Sequence, residues 1–250
     1  MIWLIGGTQE SRAIAHLLDG AAYPWVVTVT TPTATRLYQG CKGSLWVGCL
    51  DTQSLDKFLL QYSIQWIVDA SHPFATQISQ LAIQAAQHHQ LPYLRFERPY
   101  LPVNSQVEVV PDWPALLQDD YLCHRRILLT VGVKALPYFL PWLIASQFWA
   151  RILPSSLGQA MAMGFSREQL IPLRLPLTLT QEIDLWRDLA VDTVITKSSG
   201  ESGGLAIKQA AATQLGVRLL VVERPPLLYP QQTSKFDTVL AFCRDPFSFT

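Results

Sequence analysis

The chain has 250 residues, 49% of them hydrophobic and 15% charged, and its 19 basic and 19 acidic residues cancel to a net charge of zero at pH 7. That apolar content excludes a disordered chain, and the balanced charge excludes a surface built to hold a nucleic-acid backbone. The length fits one large domain or two of moderate size.

Short β-rich runs alternate with helical patterns from the start. Ile2–Ile5 reads as a strand, and residues 10–18 then place Ile14, Leu17 and Leu18 on one helical face. Residues 25–31 and 66–70 (WIVDA) read as strands. A helix over 76–89 follows, with Ile78, Leu81, Ala82, Ala85 and Ala86 on its apolar stripe, and a strand over 93–96 closes the half. Residues 102–124 break the pattern with three prolines, and their short β-like piece reads as an edge strand or linker. The pattern restarts with strands at 127–131, 148–153, 170–175 and 193–196, a helix at about 204–215 and a strand at 218–222. Strands alternating with helices of this length predict an α/β fold: two Rossmann-like domains with parallel sheets. The boundary falls within 100–125, giving domains 1–112 and 113–250. A weak repeat links the halves. WIVDASHPFATQISQLAIQAAQHHQLPYLRFERP and TVITKSSGESGGLAIKQAAATQLGVRLLVVERP both read strand, polar loop, Ala-rich helix, strand, Glu-Arg-Pro.

The remaining composition narrows the setting. Cys41, Cys49, Cys123 and Cys243 form no CxxC pair and show no Cys/His ligand spacing, so no metal site is expected and a reducing cytoplasm suits them. The opening run MIWLIGG is too short, and lacks the basic flank, for a signal peptide. No window approaches the ~20 apolar residues that span a bilayer, so no membrane association is expected.

Five stretches carry candidate chemistry. Between the first strand and helix, Gly6-Gly7-Thr8 with Glu10 and Ser11 forms a glycine turn at a helix N-terminus, where free amides and the helix dipole favour a phosphate. It is not a full GxGxxG fingerprint, and a tight structural turn is the competing reading. The second strand ends in TVTTPTATR without the acid that holds an NAD ribose, so Arg36 favours a 2′-phosphate and hence NADPH over NADH, the alternative being a solvated loop charge. In DASHPFA, Ser71 and His72 sit at a strand's C-terminal edge, and the following proline biases His72 to an extended conformation. His72 is the candidate proton donor. TKSSGESGGLAIK (196–208) collects Lys197, Ser199, Gly200, Ser202 and Gly203 into an anion cradle, but lacks the Walker A order. Arg151 lies inside a strand-like run and needs an anion, either a substrate carboxylate or an internal acid. The repeated Glu-Arg-Pro stops a strand at its binding edge. Its arginine either faces a site there, with the glutamate pairing it or holding a neighbouring loop, or braces the loops with the glutamate as a structural support.

At these residues the chain resembles the precorrin-6A reductase family of cobalamin biosynthesis. The resemblance rests on Gly6-Gly7-Thr8-Gln9-Glu10, Asp69-Ala70-Ser71-His72-Pro73-Phe74-Ala75, Arg95-Phe96-Glu97-Arg98-Pro99, Arg151-Ile152-Leu153-Pro154, Lys197 to Gly204 with Lys208, and Glu223-Arg224-Pro225, with Ser71 where a threonine is common. It implies an active site in an interdomain cleft. It also implies a nicotinamide-dependent reduction of the C18–C19 bond of a corrin precursor, precorrin-6A or its cobalt form, by one hydride and one proton. On that reading Gly6, Gly7, Thr8, Glu10, Ser11, Arg36, Ser71, His72, Lys197, Ser199 and Gly200 bind NADPH (or NADH). Arg95, Arg98, Arg151, Lys197, Ser202, Gly203 and Arg224 bind the anionic tetrapyrrole. Any cobalt belongs to the substrate. A non-catalytic nucleotide-binding sensor of the same shape would keep GGTQE and lose the arginines and the 196–204 loop, and both sets are present here.

Overall fold

The computed structural model describes residues 1–104, 107–174 and 176–245. In chain order the elements are β1 (Ile2–Ile5), α1 (Gln9–Gly20), β2 (Trp25–Val29), β3 (Ser44–Val47), α2 (Thr52–Gln61), β4 (Trp66–Asp69), α3 (Thr76–His88) and β5 (Tyr93–Phe96). Next come β6 (Val107–Val110), α4 (Trp113–Leu116), α5 (Asp119–Leu122), β7 (Arg126–Leu129), β8 (Gln147–Ile152), α6 (Leu157–Ala162) and β9 (Leu170–Pro172). The chain ends with α7 (Leu179–Asp188), β10 (Thr193–Lys197), α8 (Leu205–Leu215), β11 (Arg218–Val222), β12 (Gln232–Thr233) and α9 (Phe236–Arg244). The strand expected over 170–175 stops at Pro172, and Leu175 lies outside the described residues.

The strands form two six-stranded sheets, ordered β12-β5-β4-β1-β2-β3 and β6-β11-β10-β7-β8-β9, and every pairing is parallel. Each is an open doubly wound sheet whose order reverses beside its central strand, β1 in one and β7 in the other. Ligands bind at such a switch point, outside the carboxyl ends of the strands. The expected repeat is present as topology: β4-α3-β5 and β10-α8-β11 fill the same two positions in their sheets.

The division of the chain differs from the boundary expected at 112/113. One compact unit is Met1–Pro99 together with the chain from Pro225, and the other is Tyr100–Arg224. The reason is the sixth strand of each sheet. β6 pairs with β11, and β12 pairs with β5, so each unit is completed by a strand from beyond a Glu-Arg-Pro. The two repeats are therefore the two places where the chain changes unit.

Parallel sheets covered on both faces need strands that are apolar throughout. In β1, Ile2 and Leu4 pack on one side with Ile14, Leu18, Val239 and Phe242, while Trp3 and Ile5 pack on the other with Leu55, Phe58 and Ala82. In the second unit Leu128, Val194, Leu219 and Val221 pack against Ile183, Trp186 and Leu205. The expected stripe of α3 faces the core, with Ala82, Ala85 and Ala86 buried and Ile78 and Leu81 partly buried against it, and the buried face also takes in Ser79 and Ile83. Ser79 turns inward because its hydroxyl donates to Asp69 Oδ2 at 2.6 Å. Among the described residues, no helix is long and apolar enough to cross a membrane.

Candidate active site

The first unit brings the GGTQES turn and the DASHPFA loop together, because β1 and β4 are neighbours at the reversal of strand order. Gly6 has no room for a side chain: a Cβ there would stand 2.2 Å from Tyr38 Oη and 2.4 Å from a Val27 methyl. Gly7 has φ +97°, and nothing lies within 4 Å of where its Cβ would be. Such a turn lets a ligand approach the backbone closely. Thr8 caps α1. Its Oγ1 accepts from the Ser11 amide at 3.0 Å and donates to the Ala70 carbonyl at 2.7 Å, which ties the turn to the DASHPFA loop. Ser11 Oγ accepts from the Thr8 amide at 3.0 Å and lies 2.6 Å from Tyr38 Oη, which also accepts from the Gly7 amide at 2.8 Å. Burial pushes the Tyr38 phenol above its ordinary pKa, so it stays protonated and keeps both contacts. The cap thus fixes the first turn of α1 directly after the two glycines.

Behind the DASHPFA loop lies a buried charge network. Asp69 is fully buried and accepts from the Ser71 amide (2.9 Å), Ser79 Oγ (2.6 Å), Tyr93 Oη (2.7 Å) and Arg95 Nη1 (2.8 Å). Burial and the Asp69 charge push the Tyr93 phenol far above its ordinary pKa, which fixes it as a donor. Arg95, 1% exposed, also donates to Ser71 Oγ at 3.0 Å and through Nε to Glu97 at 2.7 Å, with the Tyr229 ring 5.2 Å from its guanidinium carbon. The Arg95 guanidinium is thus committed to internal carboxylates. His72 is half-buried, and its Nδ1 accepts from the Phe74 amide at 3.2 Å. That bond leaves the proton of the neutral ring on Nε2.

The Glu-Arg-Pro ends differ from the expected pairing. Glu97 binds Arg95, while Arg98 reaches Glu10 at 2.7 Å and so balances the acid at the N-terminus of α1. In both repeats the glutamate amide adds one more rung to the sheet, to the Thr233 carbonyl (2.8 Å) and the Val110 carbonyl (2.9 Å). Arg224, 7% exposed, donates through Nε to the Ser198 carbonyl at 2.8 Å and stacks on Tyr100 at 4.2 Å. Arg98 thereby anchors the start of α1, and Arg224 the polar loop of its own unit. Arg36 is exposed on the segment after β2 and makes no ion pair among the described residues.

In the second unit the 197–204 loop leads into α8, whose N-cap is Gly204 with no side-chain cap. Ser198, Ser199 and Gly200 are buried, Lys197 is half-buried and Ser202 is exposed. Lys208 is 2% exposed and donates to the Gly203 carbonyl at 2.5 Å, closing the loop from below. Arg151 meets the internal acid left open by the sequence: its Nη1 binds Glu182 at 2.6 Å, and Glu182 also accepts from Trp186 at 3.0 Å. Burial, with a smaller contribution from Arg151, lowers the Lys208 pKa to about 7, against the pull of Glu182. A lysine whose pKa falls on folding binds more protons when unfolded. Stability therefore rises with pH between about 7 and the ordinary lysine range near 10.4. Lys208→Met is expected to reduce that rise, leaving the part owed to Lys197, whose pKa is lowered to about 8, and to stabilise the fold at pH 7 by about 1–2 kcal/mol. Chemical denaturation at pH 7 and pH 9.5 checks both.

Sequence reasoning missed Tyr38, Ser79, Tyr93, Glu182 and Trp113, which support the site residues from positions without a motif. It also foresaw no convergence of metal-ligand types, yet donor atoms of His16, Asp19 and Cys41 lie within 4.8 Å of one another. Asp19 is used there without a metal, accepting from Trp25 Nε1 and the Lys42 amide, both at 2.9 Å.

Two open sheets in the Rossmann order, with polar loops at both switch points, place this protein among the doubly wound α/β proteins. Residues 1–244 match the model of the precorrin-6x reductase CbiJ/CobK family, and the chain belongs to that family. A cobalt-precorrin-6A reductase from Synechocystis sp. is 41% identical over 97% of this chain and 95% of its own length. One from Priestia megaterium is 29% identical, covering 96% of each chain. A precorrin-6A reductase from Mycobacterium tuberculosis is 30% identical over 95% of this chain and 93% of its own. The solved structure of a CobK precorrin-6A reductase superposes with a TM-score of 0.80 at 20% identity, over 98% of this chain and 96% of that one, and shares the fold.

Proposed function

We propose that the chain reduces the C18–C19 bond of a precorrin-6A macrocycle, in its cobalt form or metal-free, with NADPH bound at the first unit's switch point. The observation that carries this reading is the Thr8–Ala70 bond, which joins the glycine turn to the His72 loop where a doubly wound sheet takes its ligand. The residues fit a dinucleotide. Gly7 faces open space, the N-terminal end of α1 follows it with its dipole suited to a diphosphate, and Arg98 neutralises Glu10 in that first turn. Arg36, at the end of the second strand where no acid stands, suits a 2′-phosphate. A bound nicotinamide would supply the hydride.

The chain's own part is to hold charge and move one proton. One carbon takes the hydride and its neighbour takes a proton from water, and His72, whose Nδ1 accepts from the Phe74 amide, carries the Nε2–H that can orient that water. Ser71 and the Asp69 network hold that loop in place. Arg95 and Arg151, expected in contact with substrate, act instead as buried supports, because each is already matched to internal carboxylates. The same role is assigned to Arg224, through Ser198. Lys197, Ser199, Ser202 and Gly203 present the second unit's polar loop to the acidic side chains of the macrocycle. The Synechocystis relative carries the cobalt form in its name, so cobalt-precorrin-6A is the first substrate to assay.

Arg36→Ala tests the cofactor assignment. Losing a charge-assisted contact of about 1.5–3 kcal/mol should raise the KM for NADPH about 10–100-fold and leave that for NADH unchanged. Equal effects on both cofactors would move the 2′-phosphate elsewhere.

A further inference from the structure

We propose that Lys134 and Lys197 together form a carboxylate-binding site at the switch point of the second unit, and that it holds a side-chain carboxylate of the macrocycle. This rests on the functional reading above for the identity of the ligand, but not for the existence of the site.

The two units share a topology and differ at the turn that matters. In the first, the central strand β1 runs through two glycines into a 12-residue α-helix. In the second, the central strand β7 runs through Thr130, Val131 and Gly132 into a 3-10 segment, Val133–Trp142, with Pro137 and Pro141 inside it. The tighter turns and the two prolines make this a less regular helix end than that of α1, so the second unit's switch point is a weaker diphosphate site. What stands there instead is a pair of lysines. β7 and β10 are adjacent, with Ile195 opposite Leu129, and Thr130 donates to the Ile195 carbonyl through its amide (2.8 Å) and its hydroxyl (3.1 Å). The chain that carries Lys134 thus begins beside the strand that ends in Lys197.

Lys197 is built against an aromatic wall, part of which comes from the segment that carries Lys134. Lys197 Nζ lies 5.6 Å from the centroid of the Trp113 ring. Trp113 packs on Tyr138 at 5.4 Å and Phe139 at 6.3 Å, both on the segment that carries Lys134. Phe139 is buried and anchors the wall, while Tyr138 is 46% exposed. Lys134 is exposed and makes no ion pair among the described residues. Burial, and then the nearby Lys134 charge, lowers the Lys197 pKa to about 8. Two like charges held close together gain when an anion lies between them. A carboxylate accepts from two ammonium groups, and the exposed tyrosine offers a flat apolar face to the ring that bears it. A dinucleotide phosphate has the same charge chemistry. The less regular helix end here, and the glycine turn into a 12-residue α-helix in the other unit, favour the carboxylate.

Lys134→Gln and Lys134→Arg test the site in two ways. Calorimetric titration with citrate, a small polycarboxylate, is expected to show binding to the wild type that weakens about 10-fold in Lys134→Gln and is largely restored in Lys134→Arg. No citrate binding, or equal binding to wild type and Lys134→Gln, overturns the site. In steady-state assays Lys134→Gln is expected to raise the KM for the macrocycle about 10-fold or more without changing the KM for NADPH. A rise confined to NADPH would overturn the carboxylate assignment in favour of a phosphate. If citrate behaves as expected but the wild type turns over neither macrocycle, the anion site stands and the functional reading falls.

Discussion

Asp69→Ala is expected to cost the fold about 3–5 kcal/mol, seen as a fall in Tm of roughly 6–20 °C. The carboxylate is fully buried and is the common acceptor for the Ser71 amide, Ser79 Oγ, Tyr93 Oη and Arg95 Nη1. Removing it strands a guanidinium in the interior with only Glu97 to balance it, and leaves three other donors without their acceptor. The loss is larger than that of a surface ion pair such as Arg218–Glu108, whose side chains are 33% and 39% exposed. Truncating Glu108 is expected to cost less than about 1 kcal/mol. Thermal unfolding of both variants checks the contrast. Equal losses would mean that the Asp69 network is not the brace described here.

Gly6→Ala has the second large effect, and it falls on the cofactor side. The new methyl would stand 2.2 Å from Tyr38 Oη, so Tyr38 must leave. With it go the Gly7 amide contact at 2.8 Å and the Ser11 contact at 2.6 Å, which hold the turn in shape. Affinity for NADPH is expected to fall about 100-fold or more, the scale of two lost polar contacts in a preorganised site. Tyr38→Phe removes the same contacts without the clash and is expected to cost about 10-fold. Dissociation constants from cofactor fluorescence quenching compare the two. A Gly6→Ala protein that folds and binds NADPH like the wild type would remove the turn from the cofactor site.

The parts of the fold legible in the sequence were those where burial writes a continuous apolar run. β1, β5 and β11 have the expected bounds because every residue but Arg218 is buried. β3 was not legible, because three of its four residues are exposed and it carries no alternation. β12 is two polar residues long and is a strand only through its pairing with β5. That is also why the exchange of sixth strands, and so the true unit boundaries, could not be read from composition. The proline-rich 102–124 stretch looked like the linker, whereas the chain changes unit at the two Glu-Arg-Pro repeats. The repeat was the available signal, but a strand stop with site-facing or bracing side chains does not by itself say that the chain changes unit there. Within the site, motifs located the loops but not their supports. Ser79 and Tyr93 hold Asp69 from a helix and a strand where nothing in the local pattern calls for a polar group. Arg151 meets the internal acid that its place in a strand called for, but nothing in the local pattern of α7 marks Glu182 as that acid.

The central claim is a nicotinamide-dependent reduction of a corrin precursor. It is tested most directly by an anaerobic assay of the wild-type chain with cobalt-precorrin-6A and with metal-free precorrin-6A, following NADPH and NADH oxidation and the mass of the product. The account predicts oxidation of one NADPH per macrocycle and a product heavier by two hydrogens, with NADH the poorer donor. No oxidation of either cofactor with either macrocycle would contradict it.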